Sequence, residues 1–340
     1  MTSDTYREIS SPEIAETKPL VSIYVATYRH EKYLTQAVES IVAQKLDFPI
    51  EIVIGEDHSP DGTLAVAIEL QRRHPDKVRV IAGDGNVGGL RNSTRCLALC
   101  RGDFIAYCEG DDYWHDLRKL QSQIDIMTAD PQVVLCHSDY DRLIGTRIKR
   151  SMHARYPSPF LARGASYIPL LHEWTVMTVT CVYRASLIRD FLRTPFNRLD
   201  WPFGDYPKAL YASTQGTVAY LPRSTGTWRK VRGSLSNAGF PAILRLRIAD
   251  VECKQVFMAA FPVDDQIRRS VLDRAQRIIM RDAFNVGDVE AYRAAMSRCS
   301  PTARRPIFDA VRMMGLHLRF PVVITRAYRN LILRLTAHGF

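Results

Sequence analysis

The stretch Phe104-Ile105-Ala106-Tyr107-Cys108-Glu109-Gly110-Asp111-Asp112-Tyr113-Trp114 is an apolar run that ends in three carboxylates. Aromatic and aliphatic residues bounded by Gly102 and Gly110 read as a buried strand, so Glu109, Asp111 and Asp112 emerge together at its carboxyl end. Open α/β sheets bind their ligands at that end. Clustered carboxylates raise one another's pKa unless a cation or donors neutralise them, which points to a hard divalent ion such as Mg²⁺ or Mn²⁺. The competing reading is a polar turn into the next helix, with Asp112 or Asp116 as its N-cap.

Working outward, the pattern predicts strands over 20–26, 50–54 and 78–82, with the quoted run as a fourth over 104–108. Helices are expected over about 31–44, 64–73 and 90–100, with Asp61 or Thr63 capping the second. Strand and helix alternate with short connections, which implies an α/β fold around a mostly parallel sheet covered on both faces. Beyond residue 120 the pattern loosens. Further strands are expected over 133–136 and 178–183, and the basic, turn-rich stretch from Arg142 to Gly164 reads as a functional or mobile loop. Residues 241–340 read as mainly helical, broken near Pro262, Pro301, Pro306 and Pro321.

The 340-residue chain is 46% hydrophobic, enough for a full core and for two or three structural units. No apolar stretch is long enough to span a bilayer, and residues 1–19 are polar and acidic, unlike a secretory leader; a cytoplasmic location is expected. Seven cysteines with no C-x-x-C pair suggest neither a disulfide framework nor a zinc site. The net charge of +10 is concentrated toward the C-terminus, where nine arginines from Arg293 to Arg334 face a single acid, Asp309. Interleaved with Leu, Ile, Val and Met, they fit basic amphipathic helices at an anionic membrane surface, a solvated face, or an oligomerisation surface. Nucleic acid is disfavoured because no binding module accompanies the charge.

Gly83-Asp84-Gly85-Asn86-Val87-Gly88 matches the dinucleotide fingerprint, with Glu109 about 20 residues beyond it. Two strand-helix units already precede it, however, and Glu109 is followed by two more carboxylates, a poor setting for a ribose beside a pyrophosphate. A turn in which Asn86 and the glycines tolerate positive φ is the alternative. Glu56-Asp57, after the second strand, should share a sheet edge with Glu109, Asp111 and Asp112. One cluster can accept the imide proton of uracil and a ribose hydroxyl while the other holds a cation against two phosphates, as a nucleotide-diphosphate site requires.

Residues 19–125 resemble the family 2 glycosyltransferases of GT-A fold. The likeness is carried by 21–28 (VSIYVATY), 51–63 (EIVIGEDHSPDGT), 86–88 (NVG) and 109–112 (EGDD), in that order. It implies an inverting transferase using a nucleotide-sugar, most often a UDP-sugar, with Mn²⁺ or Mg²⁺ as cofactor. Thr27 and Asp57 would contact the base, Asp111 the metal, and Asp112 or Glu109 the sugar and ribose. Tyr28, Glu56, Asn86, Gly88 and Arg91 complete the expected donor site. Glu56 and Glu109 stand where Asp is commoner. Asp205 takes the place of the family's base before a helix, with Asp200 and Glu173 as alternatives and a helix cap as the plain reading. Arg229 and Arg232, in a segment like that lying over the diphosphate, are either its ligands or a solvated basic loop. Trp174 is either a core residue or a stacking surface for a sugar.

The expected organisation is a flexible tail (1–18), a nucleotide-sugar-binding half (19–125), an acceptor-binding half (126–240) and a basic helical region (241–340). The expected function is sugar transfer to a glycan or lipid-linked acceptor in surface polysaccharide synthesis, at the inner face of the plasma membrane. The alternatives are a non-catalytic nucleotide-sugar-binding scaffold and an NAD-binding enzyme using Gly83–Gly88.

Overall fold

The computed structural model describes residues 5–160, 166–231 and 240–304, together with 309 and 313. The chain divides into two units, Met1–Val231 and Arg232–Phe340.

The first unit begins with β1 (Tyr6–Ile9) and α1 (Pro12–Glu16), in a region expected to be a flexible tail. This is a correction with a clear cause. β1 pairs antiparallel with β4 (Val78–Gly83), and Glu8 makes a two-pronged ion pair with Arg79 at 2.8 and 3.0 Å. Arg79 also reaches the buried Glu51 at 2.9 Å, and Glu51 accepts from Ser22 and Arg101, so the edge strand is tied into the buried sheet. Between β1 and β4 lie β2 (Val21–Thr27), α2 (Leu34–Val42), β3 (Ile50–Glu56) and α3 (Thr63–Arg73), followed after β4 by α4 (Gly89–Ala98) and β5 (Phe104–Tyr107). β4, β3, β2 and β5 are neighbours in that order and all parallel. Every residue of β3, β4 and β5 is buried, as expected of a sheet covered on both faces. Leu34, Val38 and Ile41 give α2 its buried stripe at helical spacing.

The chain continues through β6 (Tyr113–Trp114), α5 (Lys119–Ala129), β7 (Val133–Ile144), β8 (Arg147–Lys149), α6 (Met152–Arg155), α7 (Tyr167–His172), β9 (Val182–Arg184), α8 (Ala185–Phe191), α9 (Asp205–Gln215) and β10 (Thr217–Lys230). These strands extend the sheet past β5 in the order β9-β7-β10-β6. β9 runs antiparallel to both neighbours, while β7 and β10 are parallel. The expected strand over 178–183 is a 3-10 turn at Thr178–Thr180 followed by β9, because the Thr180 hydroxyl donates back to Met177 O. The expected loop from Arg142 opens with a hairpin instead. β7 turns at Gly145, whose φ of 58° suits glycine, into β8. β2, β3 and β5 are parallel, so the loops after Thr27, Glu56 and Tyr107 leave one edge of the sheet.

The second unit contains α10 (Phe240–Ala260), α11 (Asp265–Val286) and α12 (Val289–Arg298). Asp264 and Asp288 cap α11 and α12 by accepting the N–H of Ile267 and Ala291, and Gly287 at φ 76° ends α11. Leu244, Val251, Ile279, Met280, Ala283 and Tyr292 form its core. Arg305 and the arginines after it lie outside the described residues. Among the described residues no helix is long and apolar enough to cross a membrane. All seven cysteines are buried thiols.

Candidate active site

The loop after β3 folds on its own carboxylates. Glu56 Oε1 accepts from Ser59 N at 2.7 Å and Oε2 from His58 N at 3.2 Å, closing a turn that holds His58 at φ 55°. Asp57 reaches across to the loop after β4. Its Oδ1 accepts from Val87 N at 3.0 Å and Oδ2 from Gly88 N at 2.9 Å, while Asn86 Nδ2 donates to Asp57 O. Burial pushes the Asp57 carboxyl up and the two N–H donors pull it back. Gly88 sits at φ 86°, where a side chain would be strained, and α4 starts at the next residue. The glycine run is thus accounted for by a turn latched to Asp57. Thr27 is buried at the end of β2, and Tyr28 beyond it is 40% exposed. Arg91 is exposed in the first turn of α4.

The loop after β5 is built differently. Gly110 N donates to Ala26 O at 2.8 Å, and a Cβ at this position would lie 2.8 Å from His30 Nδ1 and 2.9 Å from Thr27 Oγ1, so only glycine lets the two loops close. The buried Asp112 accepts from Arg229 N at 2.7 Å through Oδ1. Even so, burial and the neighbouring Asp111 and Glu109 raise its carboxyl well above the usual range. Glu109 is pushed up to about 8 by burial, then by Asp205 and Asp111, and its buried Oε2 has no partner among the described residues. Asp111 Oδ2 lies 3.9 Å from His30 Nε2, and burial lowers the pKa of that imidazole against the pull of Asp111.

A divalent cation fits this arrangement. Three carboxylates within four residues, one carrying a buried unpartnered oxygen, form a hard-donor set short of positive charge. Among the described residues no three His, Cys, Asp or Glu side chains are disposed to bind an ion by themselves. An ion held here would take few protein oxygens, Asp111 being the one the resemblance implies, and complete its shell with phosphate oxygens and water, the usual mode for Mg²⁺.

Arg229 is placed by β10, whose pairing with β6 sets Thr227 opposite Tyr113. Its Nε donates to Asp111 O at 2.7 Å and its Nη2 to Gln36 Oε1 at 2.7 Å, with the guanidinium 4.8 Å from the Tyr33 ring and 5.4 Å from that of Tyr113. Arg229 thereby braces the acidic loop through its backbone. Arg232 lies outside the described residues.

Asp205 opens α9, where Pro207 is tolerated because first-turn N–H groups have no helical partner. Its Oδ2 accepts from Thr178 Oγ1 at 2.8 Å. Burial raises its pKa, and the Thr178 bond and Lys208 oppose the rise. Lys208 is buried, donates to Gly204 O at 2.8 Å, and is lowered to about 8 by burial, with Asp205 and Glu109 acting the other way. Asp205 and Glu109 therefore act on each other's charge, and both act on the Lys208 ammonium. Of the alternatives, Asp200 is an exposed partner of Arg198, and Glu173 accepts from Ser158. The sequence reading missed Thr178, Lys208 and His30. Only Lys208 had a local signal, its i,i+3 spacing from Asp205 on a helix.

In short, Glu109, Asp111, Asp112 and Arg229 are brought together, Asp57 is joined to Asn86 and Gly88, and Glu56 is turned into its own loop.

An uncharacterised protein of Mycobacterium tuberculosis is 30% identical over 210 residues, covering 62% of this chain and 58% of that protein; the chain thus spans less than two thirds of that curated relative. The crystal structure of Staphylococcus aureus TarS residues 1–349 matches with a TM-score of 0.59 at 17% identity over 91% of each chain, and its complex with UDP-GlcNAc with 0.51 at 17% identity over 81% of this chain and 90% of that one. The mannosyltransferase PcManGT of Pyrobaculum calidifontis, with GDP-Man and Mn²⁺, matches with 0.56 at 16% identity over 96% of this chain and 90% of that one. These structural likenesses concern the fold, which is that of the GT-A glycosyltransferases. The family model for glycosyl transferase family 2 matches residues 22–192, half of the sequence, and the chain belongs to that family.

Proposed function

We propose that the chain is an inverting, metal-dependent glycosyltransferase that moves a sugar from a nucleotide-sugar, with UDP as the nucleotide, to a hydroxyl of a glycan or lipid-linked acceptor in surface polysaccharide synthesis. One observation carries this reading: a half-buried Asp205 at the start of α9, held through one carboxylate oxygen by Thr178, whose charge helps raise Glu109 of the carboxylate loop at the strand ends. The TarS complex with UDP-GlcNAc supports a UDP-sugar, and the mannosyltransferase complex supports a divalent cation.

In this mechanism Thr27 and the Asp57-latched loop seat the base, and Asp112 and Glu109 face the ribose and sugar. A bound Mn²⁺ or Mg²⁺ would supply positive charge against the diphosphate. Asp205 accepts the acceptor hydroxyl's proton as that oxygen bonds to the anomeric carbon and the bond to the diphosphate oxygen breaks on the far side, inverting the centre. Thr178 holds the carboxylate by one oxygen and leaves the other for the proton. Lys208 offsets the charge that Asp205 and Glu109 share.

The exposed tip of the β7–β8 hairpin carries Arg147, Lys149 and Arg150 beside Ile144 and Ile148, and residues 142–164 contain no acid. This supports an anionic or lipid-linked acceptor at the inner face of the membrane. Equal flotation with neutral and anionic liposomes would count against that part.

The test is Asp205→Asn with UDP-sugars and Mn²⁺. Turnover should fall by about 10²–10⁴-fold, while UDP still raises the melting temperature. Unchanged turnover removes Asp205 from the mechanism. UDP binding without any transfer by the native protein would favour a nucleotide-sugar-binding scaffold.

A further inference from the structure

Trp174 is a large apolar side chain that the fold leaves 39% exposed. Its Nε1–H donates to Val176 O at 2.8 Å, so its polar tip is satisfied within the protein. What it presents to solvent is ring carbon. The indole stacks on Tyr206 with centroids 4.9 Å and planes 25° apart, and it meets Phe203 at 5.7 Å and 67°. Tyr206 is fully buried and anchored by its hydroxyl to Leu170 O, and Phe203 rests on the buried Trp201. Trp174 is therefore held with one face packed on Tyr206 while part of its ring stays open to solvent.

Two tethers place this ring beside Asp205. Tyr206, on which it stacks, is the next residue after Asp205. Thr178, which donates to Asp205, is four residues from Trp174, a span of at most about 14 Å even when fully extended.

We infer that Trp174 is the stacking platform for a sugar ring of the acceptor, adjoining the position where the attacking hydroxyl meets Asp205. This rests on the reading of Asp205 as the base. The face of an indole is electron-rich and attracts the weakly positive C–H groups on one face of a pyranose. The same face repels anions, so the ring that rests on it is a neutral sugar, and any phosphate of the acceptor lies elsewhere.

The 340-residue chain with UDP and Mn²⁺ is examined by saturation-transfer NMR against the methyl glycosides of glucose, galactose, mannose and N-acetylglucosamine. The expected result is that the native protein binds at least one, with saturation concentrated on the C–H protons of one ring face. Trp174→Leu should weaken that binding by about tenfold or more, and Trp174→Phe by less. Equal binding by the native protein and Trp174→Leu overturns the inference, as does binding of none of the four by the native protein. If the leucine variant does not fold, unchanged binding by Trp174→Phe overturns it equally. Thermal shift by UDP on the same samples separates the two levels. No shift in the native protein means that the donor reading has failed, whereas a retained shift with Trp174-independent sugar binding removes the platform alone.

Discussion

The loop after β3 and the loop after β5 leave the same edge of the sheet with the same kind of side chain, yet they treat it in opposite ways. In the first, Glu56 and Asp57 together accept four backbone N–H groups, two from their own turn and two from the loop around Val87 and Gly88. In the second, Asp112 has one backbone donor, Asp111 has a histidine nitrogen at 3.9 Å, and Glu109 keeps a buried oxygen without a partner. The count of carboxylates does not mark a cation site; the supply of donors does. Substitutions that neutralise an acid should therefore damage the first loop and relax the second, while abolishing the function of the second.

The largest effect is expected at Asp111. Asp111→Asn should lower transfer by about 10³-fold or more, the several kcal/mol that a cation contributes against developing phosphate charge. Its melting temperature without metal should hold or rise, and Mn²⁺ should no longer raise it. A stable variant with native turnover would break the contrast. Asp57→Ala comes next and has the opposite signature. It leaves the N–H groups of Val87 and Gly88 without their acceptor, at about 1–3 kcal/mol each, so urea unfolding should shift to lower denaturant.

Glu109→Gln tests the relaxed side directly. Burial, then Asp205 and Asp111, push the Glu109 carboxyl up to about 8 from 4.5 for an unperturbed glutamate, so between those values the native state should hold a proton that the unfolded chain has released. Stability of the metal-free protein should therefore fall as pH rises from about 4.5 to about 8 and level off above. The variant should flatten this slope and gain about 1–2 kcal/mol at pH 7, a value discounted for the solvent reaching a partly exposed group. Saturating Mn²⁺ should flatten it in the native protein too. An unchanged slope in the variant would show that Glu109 does not carry the strain.

The sequence made one level of this contrast visible and hid another. The buried strands of the parallel core announce themselves as β-branched and aromatic runs, and the two acidic clusters follow from where those runs stop. The donors do not. Asp57 meets Val87 and Gly88 about 30 residues away, and Arg229 meets Asp112 across 117 positions, through a strand whose Pro222, Arg223 and Ser224 break any period-2 signal. β1 was hidden for a similar reason: its four residues, Tyr6-Arg7-Glu8-Ile9, are polar in the middle and are held by pairing with β4 and by the Glu8–Arg79 ion pair. The sequence leaves Trp174 open as core or platform, because both its exposure and its stacking on Tyr206 are set by the tertiary fold.

The smallest expected effect is the one that decides what Glu56 is for. Glu56→Gln keeps one carbonyl oxygen for the N–H of Ser59 or His58 but turns an amide N–H₂ toward the other, so unfolding should shift by about 1 kcal/mol or less. If Glu56 only closes the turn that holds His58 at φ 55°, UDP affinity should weaken no more than the loop does, and restoring stability with an added osmolyte should restore binding. If Glu56 also meets the donor, UDP affinity should drop by more than the stability change predicts and stay low in osmolyte. The first outcome is expected, because both oxygens of this carboxylate are already engaged by backbone donors, whereas Glu109 on the neighbouring loop has one with none.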